Sequence, residues 1–453
     1  MSVNQNIFKA YDIRGLYPEE INEDAAYRIG WGFIEFLKNN GELPGRKIII
    51  GRDARLSSDS LFEALCEGII SQAVDVIDIG KSSTPLFYWA VINEKADGGI
   101  MITASHNPAQ YNGFKVCGRA AVVFGLESGL RSIRELAGKT EKAIISPYQG
   151  KIISKNLISE FIDFVSKKES LERIKPLKIV FDCGNGMIGS ELFGLVKKIP
   201  GQTDILFGEP DGSFPNHEAN PSKQENLKTL KEKVLAQKAD LGIAFDGDGD
   251  RIVFLDENGE QIRGDLIAAL IAKEVLQKEK GKKILYEVRT GKIVPETIKE
   301  YGGIPVIGRP GHTLMKEQMR NENIFFGGEL TGHYFFQELG NVENPLIVMI
   351  EILSILGRGQ SFSQVIAPFK KYFSSGEINF EVQDADKIIA EIEKHFSDGQ
   401  VKKIDGLTVE YPDWWFNLRK SNTEPLVRLN IETNTRELME EKKGKIVELI
   451  TTI

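Results

Sequence analysis

Residues 47–80 read KIIIGRDARLSSDSLFEALCEGIISQAVDVIDIG, and the order of apolar runs in this stretch decides the fold. Lys47-Ile48-Ile49-Ile50 has the make-up of a short buried strand, and it enters Gly51-Arg52-Asp53. Between Ser57 and Ala73 the apolar residues Leu61, Leu65 and Ile69 fall at helical spacing. Val74 to Ile79 reads as a second strand, closed by Gly80. Working outward, Thr84-Pro85 opens another helix, and Gly98-Gly99-Ile100-Met101-Ile102 is the next strand. This alternation predicts an α/β layer with parallel strands, whose ligands sit on loops at the carboxyl ends of the strands. The strand at Gly98–Ile102 runs into Thr103-Ala104-Ser105-His106-Asn107-Pro108, where Pro108 forbids simple extension. A serine at such an exit is a candidate covalent carrier of a transferred group. An ordinary turn is the competing reading, because Ser, Asn and Pro are turn formers.

The chain has 453 residues, enough for about three domains of ordinary size. With 41% apolar and 27% charged residues it reads as a folded protein, not a disordered one. A net charge of -8 argues against a nucleic-acid binder, whose footprint is basic. Cys66, Cys117 and Cys183 are few, odd in number and far apart, so neither a disulfide framework nor a zinc site is expected. No apolar leader and no apolar run of membrane-spanning length is found, so a cytoplasmic protein is expected.

A polar stretch over 138–150 marks the first boundary. A second α/β unit follows, with a strand at Leu177–Asp182 and the turn Gly184-Asn185-Gly186-Met187-Ile188-Gly189. The glycines match G-x-G-x-x-G, a weak dinucleotide signal, because glycines serve any tight strand-to-helix turn. The strand Asp240–Phe245 then delivers Asp246-Gly247-Asp248-Gly249-Asp250-Arg251. Alternate positions on a glycine-loosened loop put three carboxylates together, hard oxygen ligands suited to Mg²⁺ or Ca²⁺. An EF-hand would use Asp246, Asp248, Asp250 and Glu257. It fails because Arg251 stands where the sharp turn needs glycine. A solvated acidic turn remains the plainer alternative. Arg251 beside the carboxylates favours phosphate chemistry, since guanidinium grips phosphate through two oxygens at once.

In a third α/β unit three strand exits carry Arg289, then Arg309 and His312, then Glu329, Thr331 and His333. Mixed donors and acceptors of this kind suit carbohydrate hydroxyls. From about Tyr372 the strand–glycine–helix rhythm stops, and a small α+β domain is expected. Its marked stretch, Arg419-Lys420-Ser421-Asn422-Thr423-Glu424-Pro425, has the donors of an anion cradle.

Taken together, Tyr11-Asp12-Ile13-Arg14-Gly15, the hexapeptide at 103–108, Asn112-Gly113-Phe114-Lys115, DGDGDR at 246–251, GELTGH at 328–333 and RKSNTEP at 419–425 make the chain resemble the α-D-phosphohexomutase family over essentially its whole length. The resemblance implies three similar mixed α/β domains plus a smaller C-terminal α+β domain around a central cleft. The expected boundaries are 1–148, 149–255, 256–370 and 371–453. It implies a mutase interconverting hexose 1-phosphate and hexose 6-phosphate, of mannose or glucose, through a phosphoserine and a 1,6-bisphosphate. Ser105 would carry the phosphoryl group, and Asp246, Asp248 and Asp250 with that phosphate would hold Mg²⁺. Lys115 is the preferred general base, with Arg14 and His312 as second candidates. Glu329, Thr331 and His333 would read sugar hydroxyls. Arg419, Ser421, Asn422 and Thr423 would hold the non-reacting phosphate, and His106, Arg251, Arg289, Arg309 and Arg428 complete the expected substrate contacts. A hexose 1,6-bisphosphate activator and a monomer or homodimer are expected.

Two positions depart from the family pattern: Thr331 where many members carry serine, and Arg289 where lysine is expected. Both bear on specificity more than on reaction type. The alternatives are a phosphoglucosamine mutase, a metal-dependent sugar phosphatase and a non-catalytic sugar-phosphate sensor. The first is disfavoured because its sugar loop typically has Gln-Ser where this chain has Leu330-Thr331.

Overall fold

The computed structural model describes residues 3–139, 149–168, 171, 174–420 and 426–452. Most of the boundary expected over 138–150, and Ser421, Asn422 and Thr423, lie outside the described residues. The chain divides into two compact units, one of residues 1–262 with 331–365 and the other of 263–330 with 366–453.

The first unit contains two mixed sheets of the same design. One is built from β1 (Ile13–Leu16), β2 (Lys47–Arg52), β3 (Asp75–Lys81), β4 (Gly98–Ile102), β5 (Tyr111–Gly118) and β6 (Ile152–Ser154), in the order β1-β5-β4-β2-β3-β6. Neighbours within β4-β2-β3-β6 pair parallel, while β5 alone is reversed and pairs antiparallel with both β4 and β1. The expectation of parallel strands therefore holds for the middle of the sheet alone. The reason is the short link over 103–110, which can reverse the chain but cannot make the long crossover a parallel neighbour needs.

Among the helices that pack with this sheet are α1 (Glu23–Asn39), α2 (Ser58–Ile70) and α3 (Thr84–Asn93). The Asn22 side chain accepts from Ala25 N to start α1, and Ser83 accepts from Leu86 N to start α3, with Pro85 in its first turn. Ile29, Phe33, Ile48, Ile50, Leu61, Leu65, Val76, Ile100 and Phe114 share one core. Each such side chain contributes about 1.5–3 kcal/mol by leaving water.

The other sheet runs β11-β10-β9-β7-β8, from β7 (Leu177–Asp182), β8 (Gly201–Leu206), β9 (Leu241–Phe245), β10 (Ile252–Asp256) and β11 (Gln261–Ile262). Here β8, β7 and β9 are parallel, and β10 is reversed, pairing antiparallel with both β9 and β11. The link 246–251 is again too short for a crossover. Each sheet thus changes from parallel to antiparallel at the strand exit that carries a motif. The hairpin Tyr334–Phe336 with Val342–Glu343 and the apolar helix Pro345–Leu356, which packs against β10, complete this unit.

In the second unit β12 (Lys283–Glu287) lies between β13 (Ile304–Gly308) and β14 (Phe326–Gly328), all parallel. The C-terminal part is an antiparallel sheet ordered Phe373–Glu381, Leu426–Thr433, Trp414–Lys420, Leu407–Glu410, Gln400–Lys402. Helices Ala385–His395 and Arg436–Thr452 share its core through Ile388, Ile392, Phe396, Trp414, Phe416, Leu429 and Ile446. This is the small α+β tail expected from the loss of rhythm after Tyr372.

Candidate active site

Ser105 lies just past β4 with φ 51°, a left-handed conformation that serine rarely holds. Its amide donates to Thr103 Oγ1 at 2.8 Å. Its hydroxyl lies 3.2 Å from His106 Nδ1 and donates to Asp246 Oδ2 at 3.0 Å. Arg14 Nη1 donates to Asn107 Oδ1 at 2.7 Å, so a guanidinium stands against the same loop. Burial, followed by Arg251 and Arg14, pushes the His106 imidazole well below its ordinary range and keeps it neutral.

The acidic loop joins β9 to β10. Asp246, Asp248 and Asp250 are fully buried, and one oxygen of each lies within 4.8 Å of the others. Asp246 Oδ1 accepts from the amides of Asp250 and Arg251 at 3.0 and 3.1 Å. Asp248 Oδ2 accepts from Thr84 Oγ1 at 2.6 Å and lies 2.7 Å from Lys115 Nζ, which also contacts Asp250 Oδ2. Asp250 Oδ1 is 3.1 Å from His333 Nε2, and Arg251 Nε is 3.6 Å from Asp246 Oδ2. Burial and then Asp250 and Asp248 push the Asp246 carboxyl well above the usual range. Burial acts the same way on Asp250, but Lys115, His333 and Arg251 outweigh it and hold Asp250 well below that range. Burial works against the Lys115 charge, yet Asp248 and Asp250 prevail and hold the ammonium firmly protonated.

The glycine turn at 184–189 has a packing role here. Met187 N donates to Gly247 O at 2.9 Å, and a Cβ on Gly186 would lie 2.7 Å from that same oxygen. The glycine lets two backbones touch, which accounts for the G-x-G-x-x-G match. Glu257, the twelfth position of the rejected EF-hand pattern, accepts from Ser363 N at 3.1 Å instead of joining the loop.

In the second unit Arg289 is buried in a cage of carboxylates. Its Nε donates to Glu287 Oε1 at 2.9 Å and its Nη2 to Glu329 Oε1 at 3.1 Å. Its Nη1 is 3.7 Å from Glu377 Oε2. Arg419 Nη2 reaches Glu377 Oε2 at 2.9 Å and Arg428 Nη1 reaches Glu377 Oε1 at 3.3 Å. Burial raises the Glu377 carboxyl, but the three arginines outweigh it and hold it below its ordinary range. Arg309, half exposed, faces Asp405 at 3.8 Å. His312 opens the helix His312–Glu322, with Lys316 Nζ 3.5 Å from its Nδ1. Thr331 Oγ1 is 3.3 Å from His333 Nδ1 in the first unit.

The structure thus brings together Ser105, His106, Arg14, Lys115, Asp246, Asp248, Asp250, Arg251 and His333 in one unit. It brings Arg289, Glu329, Arg419 and Arg428 together in the other. Sequence reading missed Thr84, Glu287, Glu343 and Glu377. Thr84 carries the signal of a helix start and nothing more. Glu343, buried beside Asp250 and His333, sits between Gly340-Asn341 and Asn344-Pro345, where a turn and a helix start explain the local residues without pointing to a site.

Four family models cover nearly the whole chain. They are phosphoglucomutase/phosphomannomutase alpha/beta/alpha domain I over 5–143, domain II over 159–259, domain III over 263–372 and the C-terminal domain over 377–449. The chain belongs to the phosphoglucomutase/phosphomannomutase family. It is 38% identical to a phosphomannomutase of Vibrio cholerae serotype O1, with 98% of each chain covered. It is likewise 38% identical to a phosphomannomutase of Methanocaldococcus jannaschii, with 99% of this chain and 98% of that one covered. A solved phosphoglucomutase/phosphomannomutase family protein from Burkholderia thailandensis superposes with a TM-score of 0.90 at 32% identity, covering 99% of this chain and 98% of its own.

In this member of the family the acidic loop fits a hard divalent cation. Three buried carboxyl groups converge there, with one oxygen of each within 4.8 Å of the others and Lys115 and Arg251 alongside. Asp248 Oδ1 is buried and accepts no hydrogen bond, an expense that a coordinated cation removes. Among the described residues no helix is long and apolar enough to cross a membrane.

Proposed function

We propose that this phosphohexomutase interconverts the 1- and 6-phosphates of mannose, glucose or both through phosphorylated Ser105. The observation that carries the reading is the 3.0 Å hydrogen bond from Ser105 Oγ to Asp246 Oδ2, which couples a strand-exit hydroxyl to a buried three-aspartate loop. In the first transfer the P–Oγ bond of phosphoserine breaks as a bond forms from phosphorus to O6 of a hexose 1-phosphate. The 6-hydroxyl proton leaves to a protein base, and a 1,6-bisphosphate results. After the intermediate turns around, the bond from its other phosphorus to O1 breaks as one forms to Ser105 Oγ, the base returns its proton to O1, and the 6-phosphate departs.

Asp246, Asp248 and Asp250, with the Ser105 phosphate, are the residues that would hold Mg²⁺. When bound, the ion neutralises charge that develops on the transferring group. Transfer of this kind has a loose transition state, so positioning and charge supply most of the catalysis. Arg14, His106 and Arg251 surround the serine for that purpose. Lys115 is assigned to the proton of the attacking hydroxyl, with Arg14 and His312 as further candidates. Its ammonium is held by Asp248 and Asp250, so a base role requires those carboxylates to let its proton go. Glu329, Thr331 and His333 are assigned to sugar hydroxyls. Arg289, Arg309, Arg419 and Arg428, with Ser421, Asn422 and Thr423, are assigned to the phosphate that does not react.

The test is a mutase assay with glucose 1-phosphate and mannose 1-phosphate, Mg²⁺ and catalytic bisphosphate, on wild type and Ser105→Ala. Peptide mass spectra locate the phosphate. A phosphate on another residue overturns the reading.

A further inference from the structure

Arg55 is almost wholly enclosed, at 1% exposure, and every N–H of its guanidinium is engaged. Nε donates to Asp53 Oδ2 at 3.0 Å. Nη1 donates to the carbonyls of Pro108 and Tyr111 at 2.6 and 3.0 Å. Nη2 donates to the carbonyls of Ser105 and Asn107 at 2.9 and 2.6 Å. Four backbone carbonyls of the loop that carries the serine therefore converge on one planar group.

Those four carbonyls span the hexapeptide exit from Ser105 to the start of β5. Ser105 sits at φ 51°, a conformation that persists only where the surroundings impose it. Its own amide has one bond, to Thr103 Oγ1. The Arg55 fork is thus the main set of contacts fixing the peptide planes on the carboxyl side of the serine. The guanidinium is itself held. Asp53 accepts from Arg55 N, from Arg55 Nε and from Ser58 Oγ. The Phe214 ring lies over it at 5.1 Å, and this cover needs Gly212, whose Cβ would lie 2.3 Å from Ala54 O.

We infer that Arg55 is a positioning residue for phosphoryl transfer: its fork aims Ser105 Oγ at Asp246 and at the incoming sugar hydroxyl. With its five guanidinium N–H groups taken by Asp53 and four backbone carbonyls, it has no donor left for a substrate. The inference rests on the phosphoserine reading. Lysine keeps the charge at this position but has three donors on a single rotating centre, and it cannot bridge four carbonyls. A misplacement of about 1 Å in a reacting group costs on the order of 100-fold in rate.

The experiment compares wild type, Arg55→Lys and Asp53→Asn in the mutase assay with Mg²⁺ and bisphosphate, alongside circular dichroism and the rate at which Ser105 acquires phosphate from the bisphosphate. Arg55→Lys is expected to stay folded, lose about 100-fold in kcat and in the phosphorylation rate, and keep KM within threefold. Asp53→Asn leaves the fork in place but frees Nε, and a tenfold loss in kcat at constant KM is expected. Wild-type kcat in either folded variant overturns the inference, as does a loss that falls on KM. If neither variant is folded, Arg55 is a folding device and the inference is wrong. A wild type that never phosphorylates Ser105 refutes the phosphoserine reading instead, which keeps the two failures apart.

Discussion

Thr84 Oγ1 donates a 2.6 Å hydrogen bond to Asp248 Oδ2, tying the first turn of α3 to the acidic loop 164 residues away. The Thr84 amide also donates to the Asp248 carbonyl at 2.9 Å. One residue thus fixes both the side chain and the backbone of a proposed metal ligand. Groups that orient a ligand in this way are worth about 10–100-fold in metal affinity. Thr84→Val keeps the shape and the amide but loses the hydroxyl. It is expected to weaken Mg²⁺ binding about tenfold by calorimetry.

Lys115 is buried between Asp248 and Asp250. Lys115→Met leaves those carboxylates facing each other with less compensation. Removing one member of a buried ion pair costs about 3–5 kcal/mol. In EDTA the variant is expected to melt well below wild type. Millimolar Mg²⁺ should raise its Tm by more than it raises that of wild type. An equal rise in both would count against the charge balance drawn for this loop.

Glu377 occupies the centre of Arg289, Arg419 and Arg428. A phosphate arriving at these arginines must share them with that carboxylate. Glu377→Gln is expected to lower the KM for hexose 1-phosphate about threefold to tenfold, which corresponds to roughly 1 kcal/mol. The same change leaves three arginines closer to mutual repulsion, so Tm falls. A rise in KM would mean that Glu377 serves to aim the arginines.

Glu191 is fully buried, and its Oε1 accepts from Ser83 N at 3.1 Å. Burial pushes its carboxyl up to about 8, with the Ser83 hydrogen bonds opposing, against 4.5 for an ordinary glutamate. Between these values the folded protein keeps a proton that the unfolded chain has released. Stability therefore falls as pH rises through that window, by roughly 1.4 kcal/mol per pH unit from this group, and levels off above it. Glu191→Gln removes the dependence. The Tm advantage of the variant is expected to be small near pH 5 and to grow steadily to pH 8.

Much of this was legible in the chain. β2, β3, β4, β7 and β9 stand out because their faces are filled by Ile, Val, Leu and Phe between glycine stops. β5 does not stand out, because its buried positions include the polar residues Asn112 and Lys115. The clustering of the three aspartates, and the loop that carries Ser105, were legible because each is a local pattern of the residue types the proposed chemistry would need. Thr84, Glu377, Glu343 and Arg55 were not. Their roles come from partners brought near by sheet order and helix packing, and a threonine at a helix start looks the same whether or not it faces a carboxylate. The mixed character of the sheets followed from link lengths of a few residues, a signal present in the sequence but weaker than the apolar pattern.

The central claim is that Ser105 carries the phosphoryl group. Its most direct test is the turnover of glucose 1-phosphate and mannose 1-phosphate by Ser105→Ala, with Mg²⁺ and catalytic bisphosphate, against wild type. The account predicts a folded variant with unchanged sugar-phosphate binding, no phosphopeptide at 105, and a kcat reduced by at least about 1000-fold, the order of loss seen when a covalent nucleophile is removed. A Ser105→Ala protein that kept full mutase activity would contradict it.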